Sequence, residues 1–387
     1  MPTSALPRLL LAVGLLGLFS GCRSTPAPNP NYREFAYVTN GGSDTVTAID
    51  LRALRVAATI HVGKGPTGIA ANPAKNEIYV ANTDSNNISV IDAESNKVVS
   101  TIGVHRAPFF VDVSADGNRA YVANSGSANL SVIDLNQRKV VGTIEVGNGS
   151  NLARSTRDGK LVLVALRNEG SVAVVDAEKL SVRSKIKVCS KPDELGLLPD
   201  SSKAFIACSG SDQVAVVDLK HDSLLALLDV GKTPIYVAVK PDGGEVFVCN
   251  FDSNSVSEVI TNSNEVNGSF LIGNQPVRAQ VSADNTVLFV SNFGSDSVAL
   301  YSIDNGKRIG SADVGSHPEA MALSPNQLLL LVVNTGSGDL TVLDLTDSKG
   351  QPRNQGQPRN PAFPIATMIP LGKSPRAIAV KAFVSQR

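Results

Sequence analysis

The sequence has little of what most enzymes use for chemistry. Its 387 residues include only four histidines and four cysteines, and no HExxH, CxxCH or cysteine-rich metal spacing occurs among them. The GxSxG turn of serine hydrolases, the P-loop and a GxGxxG loop at a strand-to-helix turn are also missing. We therefore predict no metal site and no resident cofactor, and a catalytic role has no motif to support it.

Charge excess and aromatic residues are scarce as well. Lys plus Arg and Asp plus Glu both number 35, so no broad attraction to nucleic acid or an anionic membrane is built in. Aromatic residues make up 5% of the chain, whereas 42% is hydrophobic. These values predict a globular monomer without a nucleic-acid partner, whose large core is built from small aliphatic side chains.

One apolar run stands out, at residues 9–19 near the N-terminus. It is too short to span a bilayer as a helix but has the length of a secretory signal core. The following Ser20-Gly21-Cys22 resembles the bacterial lipobox, which predicts a lipoprotein signal peptide at 1–21, lipidation of Cys22 and a flexible tether at 22–33. Arg23 stands where an aspartate would favour the inner membrane, so the resemblance implies the outer membrane, facing the periplasm or the surface. An ordinary signal peptide with an incidental cysteine is the alternative.

The rest of the chain repeats with a period of 42 residues. Phrases such as NGGSDTVTAID at 40–50 return at 82–92, 124–134 and 334–344. Each period holds four short runs rich in Val and Ile, separated by turn residues, which predicts a four-stranded antiparallel meander. Asn and Asp each recur in six of eight copies at the ends of two strands. A group needed once for chemistry has no reason to recur around a ring, so we interpret both as turn-forming residues.

Both faces of such a sheet are apolar and must be covered, which the β-propeller does by arranging sheets around an axis. We label the strands a to d from the centre outwards. The chain enters at strand b and ends on an unpaired strand a, which predicts an all-β propeller at 34–384 with eight blades, closed when the C-terminal strand completes the first blade. Seven blades is the alternative. The period slips once, at a polar insertion at about 346–362.

The phrases YVTN at 37–40 and YVAN at 79–82 and 121–124 resemble the YVTN family of β-propeller repeat proteins, found in secreted and surface-layer proteins. The resemblance implies the fold for residues 35–384 but no activity, because propellers host unrelated functions. Related propellers include sugar-lactone hydrolases and the eight-bladed haem domain of nitrite reductase. They imply an alternative function as a lactonase-like hydrolase or a haem-binding protein, with His105 or His317 near the channel.

Function is sought where the repeat breaks on strand a, which lines the central channel. Polar residues interrupt this strand where other copies have small or apolar ones. We predict that nine of them line one mouth of the channel and bind a ligand: Asp112, Arg154, Asp193, Glu194, Tyr236, Arg278, Gln280, Glu319 and Arg376. The alternative is drift within a solvated channel.

Three cysteines remain in the repeats. Cys189 precedes strand a of one blade and Cys208 ends strand b of the same blade. Because the two strands are antiparallel, both residues lie at one face, and an oxidising periplasm would permit a disulfide between them. Free buried thiols are the alternative. Together these observations favour a non-enzymatic, lipid-anchored scaffold that binds an envelope protein or a small ligand.

Overall fold

The computed structural model describes residues 29–346 and 363–385 of the chain. Their strands form eight antiparallel sheets of four strands each. The sheets are the blades of a β-propeller, and seven of the eight a strands begin 42 residues apart, from Pro66 to Pro318. The predicted all-β fold with eight blades is thus confirmed, and the seven-bladed alternative is wrong.

The strands of the first four blades follow in chain order, with the C-terminal strand given last. They are β1 (Tyr32–Asn40), β2 (Thr45–Asp50), β3 (Arg55–His61), β4 (Pro66–Ala71), β5 (Glu77–Asn82), β6 (Asn87–Asp92), β7 (Lys97–Gly103), β8 (Pro108–Val113), β9 (Arg119–Asn124), β10 (Asn129–Asp134), β11 (Lys139–Glu145), β12 (Ser150–Ser155), β13 (Leu161–Leu166), β14 (Ser171–Asp176), β15 (Ser181–Lys187) and β32 (Pro375–Val384).

The other four blades repeat the same arrangement. Their strands are β16 (Pro192–Leu197), β17 (Lys203–Cys208), β18 (Gln213–Asp218), β19 (Ser223–Asp229), β20 (Pro234–Val239), β21 (Glu245–Asn250), β22 (Ser255–Ile260), β23 (Glu265–Leu271), β24 (Pro276–Val281), β25 (Val287–Asn292), β26 (Ser297–Ser302), β27 (Lys307–Asp313), β28 (Pro318–Leu323), β29 (Leu329–Asn334), β30 (Asp339–Asp344) and β31 (Ile365–Pro370). Among the described residues, the one helical segment is a 3-10 turn, Phe293–Ser295, between strands β25 and β26.

The ring closes through its two ends. Strand β32 is the innermost strand of blade 1 and pairs antiparallel with β1, for example Tyr37 with Ala379. With this strand, blade 1 has four strands, like each of the other blades. The predicted closure by a C-terminal strand is therefore confirmed, and it covers the blade faces that an open stack would expose.

The core lies between neighbouring blades and follows the same period. Tyr37, Tyr79 and Tyr121 occupy one repeat position, and Phe205, Phe247 and Phe289 occupy it in later blades; all six side chains are almost fully buried. Around them, Val, Ile, Leu and Ala side chains fill the space between sheets. The prediction of a large aliphatic core with few rings agrees with this packing.

The repeated Asp and Asn residues hold the frame. Asp50 Oδ1 accepts hydrogen bonds from the amides of Arg52 and Ala53, which shapes the turn between strands c and d. Asn82 is fully buried and donates through Nδ2 to Asn87 Oδ1 at 2.8 Å and to Ser89 Oγ at 2.9 Å, both on strand c. The interpretation of the repeated Asp residues as turn-forming is thus confirmed. The repeated Asn residues instead bond side chains of strand c, and their own backbone is not left-handed.

Several predictions concern residues beyond these ranges. The signal peptide at 1–21, Cys22, most of the tether at 22–33 and the insertion from residue 347 to 362 lie outside the described residues. The insertion is flanked by strands β30 and β31, the c and d strands of blade 8. No helix in the described part of the chain is long and apolar enough to cross a membrane.

Candidate ligand site at the channel mouth

Strand a of every blade faces the channel, and the side chains near the start of these strands surround a cavity of about 300 Å³, here called the mouth cavity. Six of the nine predicted residues line it: Arg154, Glu194, Tyr236, Arg278, Glu319 and Arg376. Phe109, Phe110, Thr67 and Met321 complete much of the wall. The repeat therefore brings together residues that are far apart in sequence, such as Thr67 and Arg376.

Glu194 is the centre of the charged network in the mouth cavity. Its Oε1 accepts two hydrogen bonds from Arg154, from Nε at 3.2 Å and from a terminal nitrogen at 2.9 Å. Its Oε2 accepts one from Arg278 at 3.3 Å. The Glu194 side chain is 8% exposed, so its charge is held by two guanidinium groups away from bulk water.

Aromatic rings hold the same two arginines from the side. The Arg278 guanidinium lies 4.6 Å from the centre of the Tyr236 ring, and that of Arg154 lies 5.1 Å from the Phe110 ring. Burial raises the pKa of Tyr236, and the neighbouring Glu194 charge adds to the rise. Burial lowers the pKa of Arg154, but the charge and hydrogen bond of Glu194, together with Tyr236 and the charge of Asp112, outweigh this effect and leave the pKa above its usual value. Tyr236 is therefore neutral and Arg154 charged at neutral pH.

The mouth cavity has an excess of positive charge. Its wall holds three guanidinium groups, those of Arg154, Arg278 and Arg376, and two carboxylates, those of Glu194 and Glu319, which leaves one net positive charge. Within the described ranges, neither Arg376 nor Glu319 has an ion pair, and Arg278 uses one of its five N–H groups in a hydrogen bond. Unused donors and a net charge make the wall suited to an anionic group.

Three predicted residues lie elsewhere, so the prediction of one mouth needs correction. Asp112 and Gln280 line a second cavity of about 280 Å³, further along strand a. Like Arg154, they stand two residues beyond the repeat position of Glu194, Tyr236 and Arg278, and each pair of residues advances an extended strand by about 6.6 Å. Arg154 and Tyr236 line both cavities, so the two cavities meet at these side chains.

Asp193 lies in neither of these two cavities. The pairing of β16 with β17 shifts register between Pro192 and Glu194, which leaves Asp193 without a partner in the ladder. Its carboxylate accepts a hydrogen bond from Arg167 Nε and forms an ion pair with it. Arg167 belongs to the turn after strand b of blade 4, so Asp193 joins two blades and is not a free ligand group.

Asp112 is held by the next blade. Its Oδ2 accepts hydrogen bonds from the backbone N–H of Ser155 at 2.8 Å and from the Ser155 hydroxyl at 2.6 Å. Burial raises the pKa of Asp112, although the charge of Arg154 and the Ser155 hydrogen bonds act in the opposite direction. These contacts give Asp112 a role in joining blades 3 and 4 at the channel wall.

Sequence reasoning missed an aromatic rim beside the mouth cavity. Phe251 and Phe293 directly follow the repeated Asn of blades 6 and 7. They line a cleft of about 340 Å³ together with Ile235, Val277, Arg278 and Glu319. The other copies have Gly, Thr, Ser or Arg at this position. The departure in two adjacent blades was the signal that could have revealed them.

Cys189 and Cys208 form a disulfide, with Cα atoms 5.9 Å apart, while Cys249 is a buried free thiol. The two half-cystines occupy repeat positions that hold Gly and Asn in five of the other seven blades. In blade 2, a Cβ on Gly63 would lie 2.7 Å from the Asn82 side chain, so the glycine is needed for this close contact. Blade 5 therefore replaces a Gly–Asn contact with a covalent bond.

The histidines do not enter the mouth cavity. His105 Nε2 lies 3.1 Å from Thr143 Oγ1 on strand d of its own blade, and His317 stacks on Phe293 with ring centres 4.4 Å apart. Neither a histidine nor a cysteine lines the mouth cavity. In the described part of the chain, no group of three His, Cys, Asp or Glu residues could hold a metal ion. The mouth therefore does not fit a histidine-ligated haem.

Two family models match separate parts of the chain. A model of YncE-like β-propellers matches residues 28–154, and a model of seven-bladed lactonase β-propellers matches residues 259–363. Each covers less than half of the chain, and both describe β-propellers. Sequence comparison and fold thus agree that the chain is a β-propeller protein. No curated protein showed significant similarity to it.

Solved structures agree on the fold at low sequence identity. A chain of hydrazine synthase from Kuenenia stuttgartiensis is 20% identical with a TM-score of 0.58, covering 69% of this chain and 91% of that one. The dihydro-haem d1 dehydrogenase NirN is 14% identical with a TM-score of 0.73, covering 89% and 74%. A protein of unknown function from Desulfotomaculum acetoxidans is 14% identical with a TM-score of 0.59, covering 89% and 98%.

Proposed function

We propose that this protein is an exported, lipid-anchored β-propeller that binds a small organic anion in the mouth cavity without transforming it. The observation that carries the proposal is the excess of guanidinium groups around the cavity, with unused N–H groups on Arg278 and Arg376. Guanidinium groups are well suited to planar carboxylates, to which they donate two parallel hydrogen bonds.

The geometry supports binding because the wall is held before a ligand arrives. Glu194 orients Arg154 and Arg278, and Phe110 and Tyr236 support the guanidinium planes. Such preorganisation lowers the cost of ordering side chains on binding. Arg154 and Tyr236 also border the second cavity, so the two cavities meet at these side chains. Its volume of about 300 Å³ is at the lower end of the range for small-molecule sites.

The cellular setting rests on the N-terminal sequence. The apolar run at 9–19 followed by Ser20-Gly21-Cys22 supports export and lipidation at Cys22, with the outer membrane favoured by Arg23. A Cys22→Ser variant should then appear in the soluble fraction of the envelope, whereas the parent chain stays with the membrane. Equal partition of the two chains would contradict the anchor.

The binding proposal is tested by isothermal titration calorimetry with a panel of organic acids and their methyl esters. At least one acid should bind the parent chain, and its ester should not, because the ester lacks the charge. The Arg278→Gln variant should bind that acid about 10- to 100-fold more weakly, the expected loss of a charged hydrogen bond. Arg278→Lys, which keeps the charge but not the planar fork, should fall between the two.

Arg106→Gln is the matched control. Arg106 lies in the loop before strand a of blade 3, donates to the carbonyl of Gly126 and does not line the mouth cavity. The variant loses the same charge as Arg278→Gln but outside the mouth cavity, so its affinity for the acid should equal that of the parent chain. Equal losses in the Arg106 and Arg278 variants, or no acid that binds the parent chain, would overturn the proposal.

A lactonase-like hydrolase is the second candidate, and the match of residues 259–363 to the lactonase model favours it. Hydrolysis needs a group that activates water, and Glu319 is the carboxylate of the mouth cavity without an ion pair in the described chain. Release of acid from a panel of sugar lactones, lost in a Glu319→Gln variant, would favour the enzyme. Binding of the opened acid without turnover of the lactone would favour the binding protein.

A further inference from the structure

The aromatic cleft and the mouth cavity are adjacent. Arg278 and Glu319 line both, so a ligand that contacts Arg278 in the mouth can extend into the cleft. The remaining walls of the cleft are apolar, made by Ile235, Val277, Phe251 and Phe293. The two spaces together offer a charged end and an apolar end on either side of one guanidinium group.

The two phenyl rings are held in place by their neighbours. Their centres lie 6.4 Å apart with planes inclined by 50°. Phe293 also stacks on His317, with an angle of 12° between the ring planes. Phe293 is the first residue of the short 3-10 helix, Phe293–Ser295, between strands β25 and β26. The rings therefore form a fixed surface against which another flat ring can pack.

The opposite side of the mouth has a different character. There the rim cavity of blades 1 and 2 has one aromatic side chain, Phe109, beside Arg376, where the cleft has two rings and two aliphatic side chains. The rest of its wall is mostly glycine and polar, including Thr67, Thr83 and Asp84. The Thr67 and Thr83 hydroxyls lie 2.8 Å apart, each within hydrogen-bond distance of a backbone carbonyl. An apolar ligand body therefore gains more from the side of blades 6 and 7.

Resting on the proposed function, we propose that the bound anion is a flat aromatic acid. Its carboxylate contacts Arg278 in the mouth cavity, and its ring system packs on Phe251 and Phe293 in the cleft. The Tyr236 ring covers one face of the Arg278 guanidinium, and Glu194 takes one of its N–H groups, which leaves the others for the acid. The ligand class is thus defined by charge at one end and an aromatic face at the other.

The test compares two acids of similar size, naphthoate and its saturated counterpart decalincarboxylate, by calorimetric titration of the full chain. Both carry the carboxylate, but only naphthoate has a flat aromatic face. Naphthoate should bind the parent chain about 3- to 10-fold more tightly, the extra contribution of aromatic pairing. Phe251→Leu and Phe293→Leu should each reduce this preference while changing decalincarboxylate binding little.

Phe270→Leu is the matched control, because Phe270 stacks on Tyr301 and lies outside the cleft. This variant should keep the preference for naphthoate. If Arg278→Gln weakens both acids but the phenylalanine variants leave the preference unchanged, the aromatic inference fails and the proposed function stands. If the parent chain prefers decalincarboxylate, the inference also fails. If neither these acids nor any other binds, both proposals are wrong.

Discussion

Blades 2 and 5 have equivalent sets of four strands but differ at two places near the channel. Blade 2 uses the Gly63–Asn82 contact and has Gly68 on strand a, where a Cβ would clash with the backbone of Phe109. Blade 5 has the Cys189–Cys208 disulfide and Glu194 at the corresponding places. The comparison separates interactions that all blades share from those that one blade has acquired.

The difference shows why Glu194 and the disulfide occur in the same blade. A buried carboxylate is costly unless its partners are placed correctly, and Glu194 needs both Arg154 and Arg278. The disulfide fixes the segment that enters strand β16, five residues before Glu194. We interpret the covalent bond as bracing for the strand that carries the charge.

The largest effect is expected from breaking what all blades share. A chain that ends at residue 374 lacks strand β32, so blade 1 loses its innermost strand and the ring loses its closure. Ile378, Val380 and Phe383 would no longer cover their neighbours. We expect loss of the cooperative thermal transition in calorimetry, together with aggregation. A cooperative transition at the parent temperature would contradict the closure.

A smaller effect is expected from the feature peculiar to blade 5. Replacing both half-cystines with alanine removes a cross-link spanning 19 residues, which should lower the free energy of unfolding by about 3 kcal/mol. Cys189→Gly with Cys208→Asn instead installs the pair used in blade 2. However, strand c of blade 5 has Ala215 where Ser89 accepts a hydrogen bond from Asn82 in blade 2. The buried amide would lack this partner, so the variant should be no more stable than the alanine variant. Urea unfolding measures both, and a Gly–Asn variant clearly more stable than the alanine variant would contradict this reasoning.

The smallest effect concerns Asp112, in the second cavity. Burial raises its pKa above 3.8, so the protonated form favours the folded state. The stability associated with that proton is complete below the unfolded pKa and is lost as the pH rises through the folded pKa. The free energy of unfolding of the parent chain, relative to that of the Asp112→Asn variant, should therefore fall with rising pH, by at most about 1.4 kcal/mol per pH unit. A difference that is independent of pH would contradict the raised pKa.

The repeat explains how much could be predicted. A fixed period and a strand count suffice for the number of blades and the closure, because each copy must bury the same faces. The same columns predicted Arg154, Glu194 and Arg278 at the channel.

The division into two cavities depends on how far each side chain reaches, because Arg154 lines both cavities from the repeat position of Asp112 and Gln280. Asp193 and Glu319 share one repeat position and one register shift, but Asp193 is held by Arg167 of the neighbouring blade. Such side-chain partners are not encoded in the spacing.

Phe251 and Phe293 were missed for a different reason. They lie in turns after strand b, whereas the predicted site residues lie on strand a. Only the closed ring shows that these turns reach the rim of the mouth. The departure from the repeat in two adjacent blades is the feature of the sequence that marks them.

The central claim is that the shared frame carries the fold and the residues that depart from it carry the binding. Native mass spectrometry of the protein extracted from its own membrane fraction tests this most directly, with the parent chain beside the Arg278→Gln and Arg106→Gln variants. The account predicts a retained small acid in the parent chain and the Arg106 variant and its loss from the Arg278 variant. A parent chain without any ligand, or equal retention in all three, would contradict it.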